Sequence, residues 1–365
     1  MIIILLIAII GFMGIYYLKN PNRIKEKRTY LLLGLLWCIL PAIRTENVGT
    51  DTYNYIDFFL HPVSGYNGRD NVEIAFEYWN ILVRWISLNK YWYIFVSAIL
   101  ATSIKFWFIQ KISLKPLLTL FLMSSIVFLE PFLFIEYGGM RQSISISFYL
   151  LFFYALISQY KWYYIFLWGF LSFNFHNSSL FPILVTILLY LIKHQFSKNT
   201  YFLLIIISFA IGNIAVAYLQ NFFLYLSYFI GIGQMVYFEN IGQTELITGY
   251  EYFRNVLPLS LYGIFIINTN RNEELNKIIN KIALFSIVVT NILITIPIGQ
   301  RITFAFIPIL CVALSHCINK KNFIYILPVI LFEFYRLYSF YEIQKSGMQK
   351  LGNGNVIFPY ETFLW

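Results

Sequence analysis

The chain has 365 residues, of which 59% are hydrophobic and only 12% are charged. Soluble domains carry about 25% charged residues, so this composition excludes a water-soluble fold. The formal net charge of +9 does not indicate nucleic-acid binding, because the lysines stand in short loops beside apolar runs, where they fix membrane topology.

The first apolar run, residues 1–18, is followed at once by a basic segment from Lys19 to Arg28. No basic residue precedes the run and no small-residue cleavage site ends it, so we predict a retained span rather than a signal peptide. Basic residues on its C-terminal side should stay in the cytoplasm, which places Met1 outside.

From this anchor the apolar runs predict an all-α polytopic membrane protein with twelve transmembrane helices in a single domain, residues 1–365. The predicted spans are 1–18, 30–43, 91–109, 117–135, 142–158, 162–175, 179–192, 200–219, 255–269, 282–297, 302–318 and 322–341. Both termini then lie outside, and the inner side, with Lys105 counted in it, holds most of the lysines.

The segment Val72 to Leu88 is predicted not to span, because it carries Glu73, Glu77 and Arg84 among apolar residues. Threading it through the membrane would also place the following lysines outside. We therefore expect an amphipathic or re-entrant helix at the outer surface, with these three residues on one polar stripe.

The outer loops and tail are predicted to form the active face; they are 44–90, 136–141, 176–178, 220–254, 298–301 and 342–365. Four arginines fall at or beside outer ends of spans: Arg44, Arg141, Arg254 and Arg301. Arginine binds phosphate or carboxylate through two parallel hydrogen bonds, and ionisable groups at this depth are usually functional. Interfacial snorkelling or structural ion pairing is the alternative.

The segment after the second span carries Asp51 and Tyr55, with Gly49 allowing a backbone turn. A carboxylate beside aromatic rings suits a sugar site, whereas the alternative for Asp51 is to cap a helix that begins at Thr52. Glu77 is a second candidate carboxylate, with membership of a solvated stripe as its alternative.

Two glycines precede Arg141 and Gln142 at a predicted helix start, where backbone N–H groups would join Arg141 in binding an anion. His176 stands at the next outer boundary and could shuttle a proton or donate to a phosphate. Its alternative is an interfacial, hydrogen-bonded ring.

Together these pieces resemble the EpsG-type polysaccharide polymerases, relatives of the Wzy polymerases of O-antigen and capsule assembly. The matching residues run across nearly the whole chain: Arg44, Gly49-Thr-Asp-Thr-x-x-Tyr55, Glu77, Arg141-Gln142, Phe175-His176-x-Ser178, Arg301 and Pro359-Tyr360. Their order and common predicted side make the combination informative.

The resemblance implies a GT-C-like glycosyltransferase of a bacterial cytoplasmic membrane that polymerises undecaprenyl-diphosphate-linked oligosaccharides at the outer leaflet, for exopolysaccharide, capsule or O-antigen. Asp51, Glu77 and His176 are then the candidate catalytic bases. Arg141 and Arg301, with Arg254 and Arg44, would bind the diphosphate. Such polymerases commonly work beside a chain-length regulator.

No DxD or other metal motif stands in the outer loops, so we expect metal-independent catalysis without a cofactor. The three cysteines lie in apolar spans without metal-binding spacing. A flippase of the same lipid-linked substrate is a rival, but it needs a polar path across the membrane midplane, whereas the polar groups here gather at one end. A polysaccharide ligase or an O-acyltransferase is a closer rival.

Overall fold

A computed structural model describes residues 2–62, 72–127, 132–214, 249–294, 299–345 and 360–363. The regular structure of these residues is helical, and one isolated antiparallel bridge joins Arg44 to Thr362. The all-α expectation is therefore confirmed. The chain forms two compact units, Met1–Leu188 with Ile318–Trp365, and Leu189–Cys317.

The first unit contains α1 to α9, most of α10, and α17. Their bounds are α1 Ile2–Lys19, α2 Arg23–Ala42, α3 Thr52–Leu60, α4 Ile74–Ile86, α5 Lys90–Ile112, α6 Pro116–Ser125, α7 Leu133–Tyr137, α8 Met140–Ile157, α9 Trp162–Phe175, α10 Leu180–Leu191 and α17 Phe323–Lys345. The α8 helix packs along both α5 and α9, so these three helices form the centre of the unit.

The second unit contains α11 to α16. Their bounds are α11 Lys198–Ile214, α12 Gly249–Thr269, α13 Asn272–Leu275, α14 Ile278–Leu293, α15 Gly299–Thr303 and α16 Ile307–Cys317. The buried amide of Asn291 on α14 donates to Ser208 Oγ of α11 at 3.0 Å and to Ser260 Oγ of α12 at 3.1 Å. A single buried amide thus joins three helices, since hydrogen bonds between apolar helices fix their register.

Within the described part of the chain, four helices are long and apolar enough to cross a membrane, namely Ile2–Lys19, Lys90–Ile112, Met140–Ile157 and Phe323–Ile343. Shorter apolar helices occupy Pro116–Ser125, Asn177–Leu191, Lys198–Gly212, Ile278–Leu293 and Arg301–Cys317. A helix of 20 residues is about 30 Å long, close to the hydrocarbon thickness, so the shorter ones do not span by their own length. The protein is a membrane protein, and the count of twelve spans stays a prediction.

The predicted single span 117–135 is wrong, because α6 ends at Ser125 and a separate short helix, α7, begins at Leu133. Two side chains of α17 form hydrogen bonds with the backbone at this break. Glu333 Oε2 accepts from Val127 N at 2.8 Å, and Arg336 Nη1 donates to Val127 O at 2.7 Å. Broken helices are tolerated in membranes when neighbouring side chains satisfy the freed backbone groups.

Several sequence predictions fall outside the described residues. They include most of the loop 220–254, the start of the loop 298–301, and the tail up to Pro359.

Candidate active site

The loop that follows α2 packs on the turn that precedes α8. Gly49 adopts a φ of +99°, and a Cβ at this position would overlap the carbonyl oxygen of Tyr137. Thr52 Oγ1 donates to Tyr137 O at 3.2 Å, while Gly138 lies against the backbone of Thr50. Only glycine tolerates this conformation together with so close an approach. The two outer segments singled out in the sequence are therefore in contact.

Asp51 stands at the N-cap position of α3, yet its side chain makes no capping hydrogen bond. The helix does begin at Thr52 as expected, but the capping alternative for Asp51 is wrong. The carboxylate is half-buried at the rim of the same loop, and Tyr55, one turn further on, is buried. The side chain of Asp51 is thus not used to cap the helix.

Arg44 is 1% exposed and lies at the centre of this region. Its Nη1 donates to the carbonyl oxygen of Pro41, while its Nε is buried without a hydrogen-bond partner among the described residues. Burial lowers the pKa of Arg44 to about 10, and the nearby side chains of Tyr137, Tyr360 and Glu136 act in the opposite direction. The guanidinium remains the charged form at neutral pH and forms no ion pair within the described part of the chain.

Residues 360–363 of the tail lie over the segment that carries Arg44. Thr45 N donates to Glu361 O at 3.1 Å, and Phe363 N donates to Ile43 O at 3.2 Å. Asn47 Nδ2 also donates to the Glu361 carboxylate at 2.8 Å. The tail therefore covers the buried guanidinium on one side by main-chain bonding rather than by loose apolar contact.

Arg141 lies in the first turn of α8, as the sequence predicted, but it is held by an unexpected partner. Its Nη1 contacts Glu73 Oε2 at 2.5 Å, and both side chains are largely buried. The guanidinium carbon lies 5.8 Å from the ring centroid of Tyr55 and 5.5 Å from that of Phe76. Ring faces stabilise a cation in this position. Arg141 and Tyr55 are therefore in contact in the fold.

The predicted amphipathic helix in 72–88 is confirmed as α4, but its polar residues do not form one solvated stripe. Glu73 turns toward Arg141, Glu77 is exposed, and Arg84 lies 5.9 Å over the ring of Phe59. The predicted common stripe is wrong, because tertiary contacts recruit two of the three charges. Glu77 makes no ion pair with a described residue.

His176 ends α9 and accepts hydrogen bonds at Nδ1 from Ser178, at 3.3 Å from its backbone N–H and at 2.7 Å from its hydroxyl. A backbone N–H can only donate, so Nδ1 is the acceptor and the neutral ring carries its proton on Nε2. The expected hydrogen-bonded ring is thus present at one nitrogen, and the other presents a donor.

A pair of serines brings Arg141 and His176 to the same level. Ser145 Oγ donates to Ser172 O at 2.7 Å, and Ser172 Oγ donates to Ser145 O at 2.9 Å. Arg141 lies about one helical turn beyond Ser145, and His176 about one turn beyond Ser172. Both therefore project from the same end of the α8–α9 pair.

Counting Lys105 among the inner-side lysines was wrong. It is fully buried within α5, and its Nζ lies 2.9 Å from Glu136 Oε1 and 2.8 Å from Ser143 Oγ. Ser143 Oγ also donates to Glu136 Oε2 at 2.8 Å. The network fixes α5, the α7 turn and α8 together beside Arg44. Sequence reasoning missed it, because its two charged partners stand 31 positions apart and no local pattern joins them.

A family model describes the chain over residues 27–362, which is most of its length. The chain belongs to the EpsG family. This confirms the resemblance read from the sequence and, with the apolar helices, assigns the protein to polysaccharide biosynthesis at a membrane. No curated protein and no solved structure matches it significantly.

The remaining predicted site residues of this EpsG-family protein are distributed over both units. Gln142 is buried in α8 of the first unit. Arg254 and Arg301 belong to the second unit and are exposed there, Arg254 beside Glu251 at 3.7 Å. Their assignment to a diphosphate site stays a prediction. Among the residues that the structure describes, no three histidine, cysteine or carboxylate side chains converge as a metal site would require.

Proposed function

We propose that this EpsG-family protein is a membrane glycosyltransferase that polymerises undecaprenyl-diphosphate-linked oligosaccharide repeat units at the outer leaflet. The observation that carries the proposal is Arg44, a charged guanidinium that is buried without an ion pair in the described part of the chain. Tyr55 is a neighbour both of Arg44 and of Arg141, the arginine in the first turn of α8. A buried cation without a partner is expensive, and an anionic ligand would compensate it.

Two arginines are the proposed binding groups for the leaving diphosphate in the first unit. Arg44 has donor capacity left at Nε, because its hydrogen bond to the carbonyl oxygen of Pro41 uses only Nη1. Arg141 uses Nη1 for Glu73, and a guanidinium carries five donors in one plane. Glu73 therefore holds Arg141 in position between two rings, where we propose that the guanidinium binds phosphate oxygens.

The same geometry divides the acid and base roles. His176 presents Nε2–H, which suits donation to an oxygen of the leaving diphosphate. Asp51 and Glu77 remain the candidate bases for the attacking sugar hydroxyl. The hydroxyl oxygen bonds to the anomeric carbon of the growing chain as its proton passes to the carboxylate. The bond from that carbon to the phosphate oxygen breaks, and the diphosphate leaves with the electron pair.

Tyr55 supports the sugar role of this region. Its ring is buried beside Arg141, and it stands one helical turn after Asp51 on α3. Tyr55 therefore lies between the candidate base and the proposed phosphate-binding residue. Carboxylates commonly bind the hydroxyls of a sugar, and we assign the acceptor to the Asp51 side of the cluster on this ground. The buried ring of Tyr55 holds Arg141 in place rather than covering the sugar.

The membrane setting of the proposal follows from the sequence. We propose a GT-C-like arrangement of about twelve spans in a bacterial cytoplasmic membrane, with both termini and the active face outside. A chain-length regulator is the expected protein partner. Arginine side chains take the charge-neutralising part that a divalent ion takes in other glycosyltransferases, and loss of polymerisation in EDTA with recovery in magnesium would contradict this.

The test is the length of polysaccharide made by a strain that lacks this protein and carries single variants. We expect single-repeat products in the deletion strain and in Arg44→Ala, Arg141→Ala and Asp51→Ala at normal protein abundance. Lys277→Ala, an exposed residue of the second unit, is the control and should give full-length polymer. Long chains left on the carrier lipid would indicate a ligase instead.

A further inference from the structure

An apolar groove of about 480 Å³ runs beside the charged cluster of the first unit. Its walls come from α4, α5, α8 and α9, with Leu82, Leu100, Phe148 and Leu171 as representative side chains. Asn174 is the one polar residue on its lining. Such a surface binds hydrocarbon by removing it from water and offers almost no hydrogen bonds to a polar ligand.

One end of the groove adjoins the groups proposed to bind phosphate. Ile74 on its wall directly follows Glu73, the partner of Arg141, and Phe175 directly precedes His176. Phe148 lies seven residues beyond Arg141 on α8, which at 1.5 Å per residue is about 10 Å along the helix. The groove therefore starts at the cationic end of the helices and extends away from it along their apolar surfaces.

The outer side of the groove is open and apolar as well. On α4, Tyr78 and Leu82 line the groove while remaining largely exposed, and Trp85 on the same helix is 85% exposed. A helix that leaves these side chains uncovered in a membrane protein rests against hydrocarbon. A lipid chain can therefore enter the groove sideways while its headgroup stays at the charged end.

We propose that this groove takes the first isoprene units of the polyprenyl chain while the attached diphosphate sits at Arg141. The inference rests on the proposed function and deepens it by assigning the donor's lipid to a defined path. The basis of the inference is that the ligand and the protein match at both ends. The anionic diphosphate would lie at the cationic end of the helices, and the stiff, methyl-branched isoprenoid chain would lie against the apolar walls of the groove. The aromatic side chains of Tyr78, Phe148 and Phe175 supply large rigid contact areas for such a chain.

The test uses the full chain in phosphatidylglycerol nanodiscs and a geranylgeranyl diphosphate probe with a diazirine on the isoprene nearest the diphosphate. We expect photolabelling of α4 and of the end of α9, removed by excess unlabelled geranylgeranyl diphosphate. Ordinary phospholipid surrounds the protein throughout, so labelling that survives in its presence reports preference for the diphosphate-bearing isoprenoid.

Two neighbouring residues give a matched pair of variants. Leu82 lines the groove and Ile81 does not, yet they are 50% and 49% exposed on the same helix. Leu82→Asn should lower labelling about tenfold, because the amide removes apolar surface that would contact the isoprenoid. Ile81→Asn should leave labelling unchanged. Leu82→Trp, which keeps the position apolar but narrows the groove, should lower labelling as Leu82→Asn does.

Equal loss in the Leu82→Asn and Ile81→Asn variants, or labelling that unlabelled probe fails to remove, would overturn the groove assignment and leave a surface filled by bulk lipid. Polymer length in cells separates this from the proposed function. If labelling behaves as expected but the deletion strain still makes full-length polymer, the proposed function fails while the groove stands. If labelling fails but Arg44→Ala stops polymerisation, the groove assignment fails while the proposed function stands.

Discussion

Two buried arginines of the first unit have opposite surroundings. Arg336 on α17 is 8% exposed and its Nη1 donates to Glu333 at 3.1 Å and to Val127 O at 2.7 Å. Glu333 in turn accepts from Val127 N, which closes the network. Arg44 is 1% exposed and bonds to Pro41 O, with no carboxylate partner among the described residues. The two side chains are buried alike, and what separates them is that a carboxylate of the protein pairs with Arg336, whereas no described carboxylate pairs with Arg44.

The energetic reason is desolvation. A buried charge costs several kcal/mol, and only a well-placed partner offsets this cost. In the α17 network the partner belongs to the protein, so the pair holds the broken helix together at all times. At Arg44 we infer that the partner is the substrate, so part of the cost remains until an anion binds. Substitutions in the α17 network should therefore lower the stability of the fold, whereas substitutions at Arg44 should lower the activity.

The largest expected effect is on folding, in Glu333→Ala. Removing the carboxylate leaves Arg336 and the Val127 N–H buried without it, which should lower the free energy of unfolding by about 3–5 kcal/mol. Thermal unfolding of the purified protein in detergent measures this. Glu342→Ala, at an exposed position of the same helix, is the control. A Glu333→Ala protein as stable as the control would contradict the structural role assigned to the Glu333–Arg336 pair.

The Arg44→Lys variant tests whether the planar guanidinium of Arg44 is needed for activity. Lysine keeps the charge but lacks the planar fork, so polymerisation should fall roughly a hundredfold, as when one preorganised donor to a developing anion is lost. Measured polymer yield per amount of protein gives the effect, and thermal stability should change little. Arg84→Lys, a half-buried arginine over Phe59, is the matched control and should retain activity. Equal activity of the two variants would contradict the assignment of Arg44.

The ring of His176 combines a structural contact and a proposed functional one. Its Nδ1 forms a hydrogen bond within the protein, and its Nε2 is the proposed donor to the substrate. Asparagine retains an acceptor near the Nδ1 position, whereas glutamine can reach the Nε2 position with an N–H. His176→Asn should therefore lower activity about a hundredfold and His176→Gln about tenfold, within the range for a positioned proton donor. The reverse order would point to Nδ1 as the working atom.

The smallest effect is expected at Glu46, an ion pair at the rim that water reaches. Burial raises the pKa of Glu46, but the hydrogen bond and charge of Lys90, a backbone hydrogen bond and a hydrogen bond from Tyr91 together outweigh it, so the net shift is downward. The pair therefore stabilises the fold above the usual glutamate pKa of about 4.3, and this contribution is lost as pH falls through the lower folded value. Glu46→Gln should cost less than about 1 kcal/mol at pH 7, and this cost should shrink as the pH falls through the folded pKa of Glu46, measured by unfolding.

Much of the helical fold could be predicted, because apolar runs of span length leave a chain in lipid no alternative to helix. The span 162–175 matches α9, and the Val72–Leu88 segment is helical. The break after Ser125 could not be predicted, since the side chains that bond its backbone, Glu333 and Arg336, are distant in sequence. The α2 helix also begins at Arg23 rather than at residue 30, because a cap from Asn22 and a polar first turn extend the helix beyond its apolar part.

The site was predicted by residue type better than by partner. Glycines, Arg141 and Tyr55 were recognised because turns and helix starts have local signatures, and the structure brings Tyr55 and Arg141 together. The pairing of Arg141 with Glu73 and of Lys105 with Glu136 depends on helix packing across 68 and 31 residues of sequence. Such pairs have no local pattern, and a lysine in a membrane protein is more readily explained as a loop charge.

The covering of Arg44 by residues 360–363 has a consequence for the order of assembly. Thr45 and Glu361 are separated by 316 positions, so the ribosome makes one long after the other. Every intervening helix is synthesised before this lid can close, and until then the guanidinium region is uncovered. Nascent or prematurely terminated chains therefore lack this cover, and fusions attached close behind Phe363 are expected to disturb activity more than those placed at other loops.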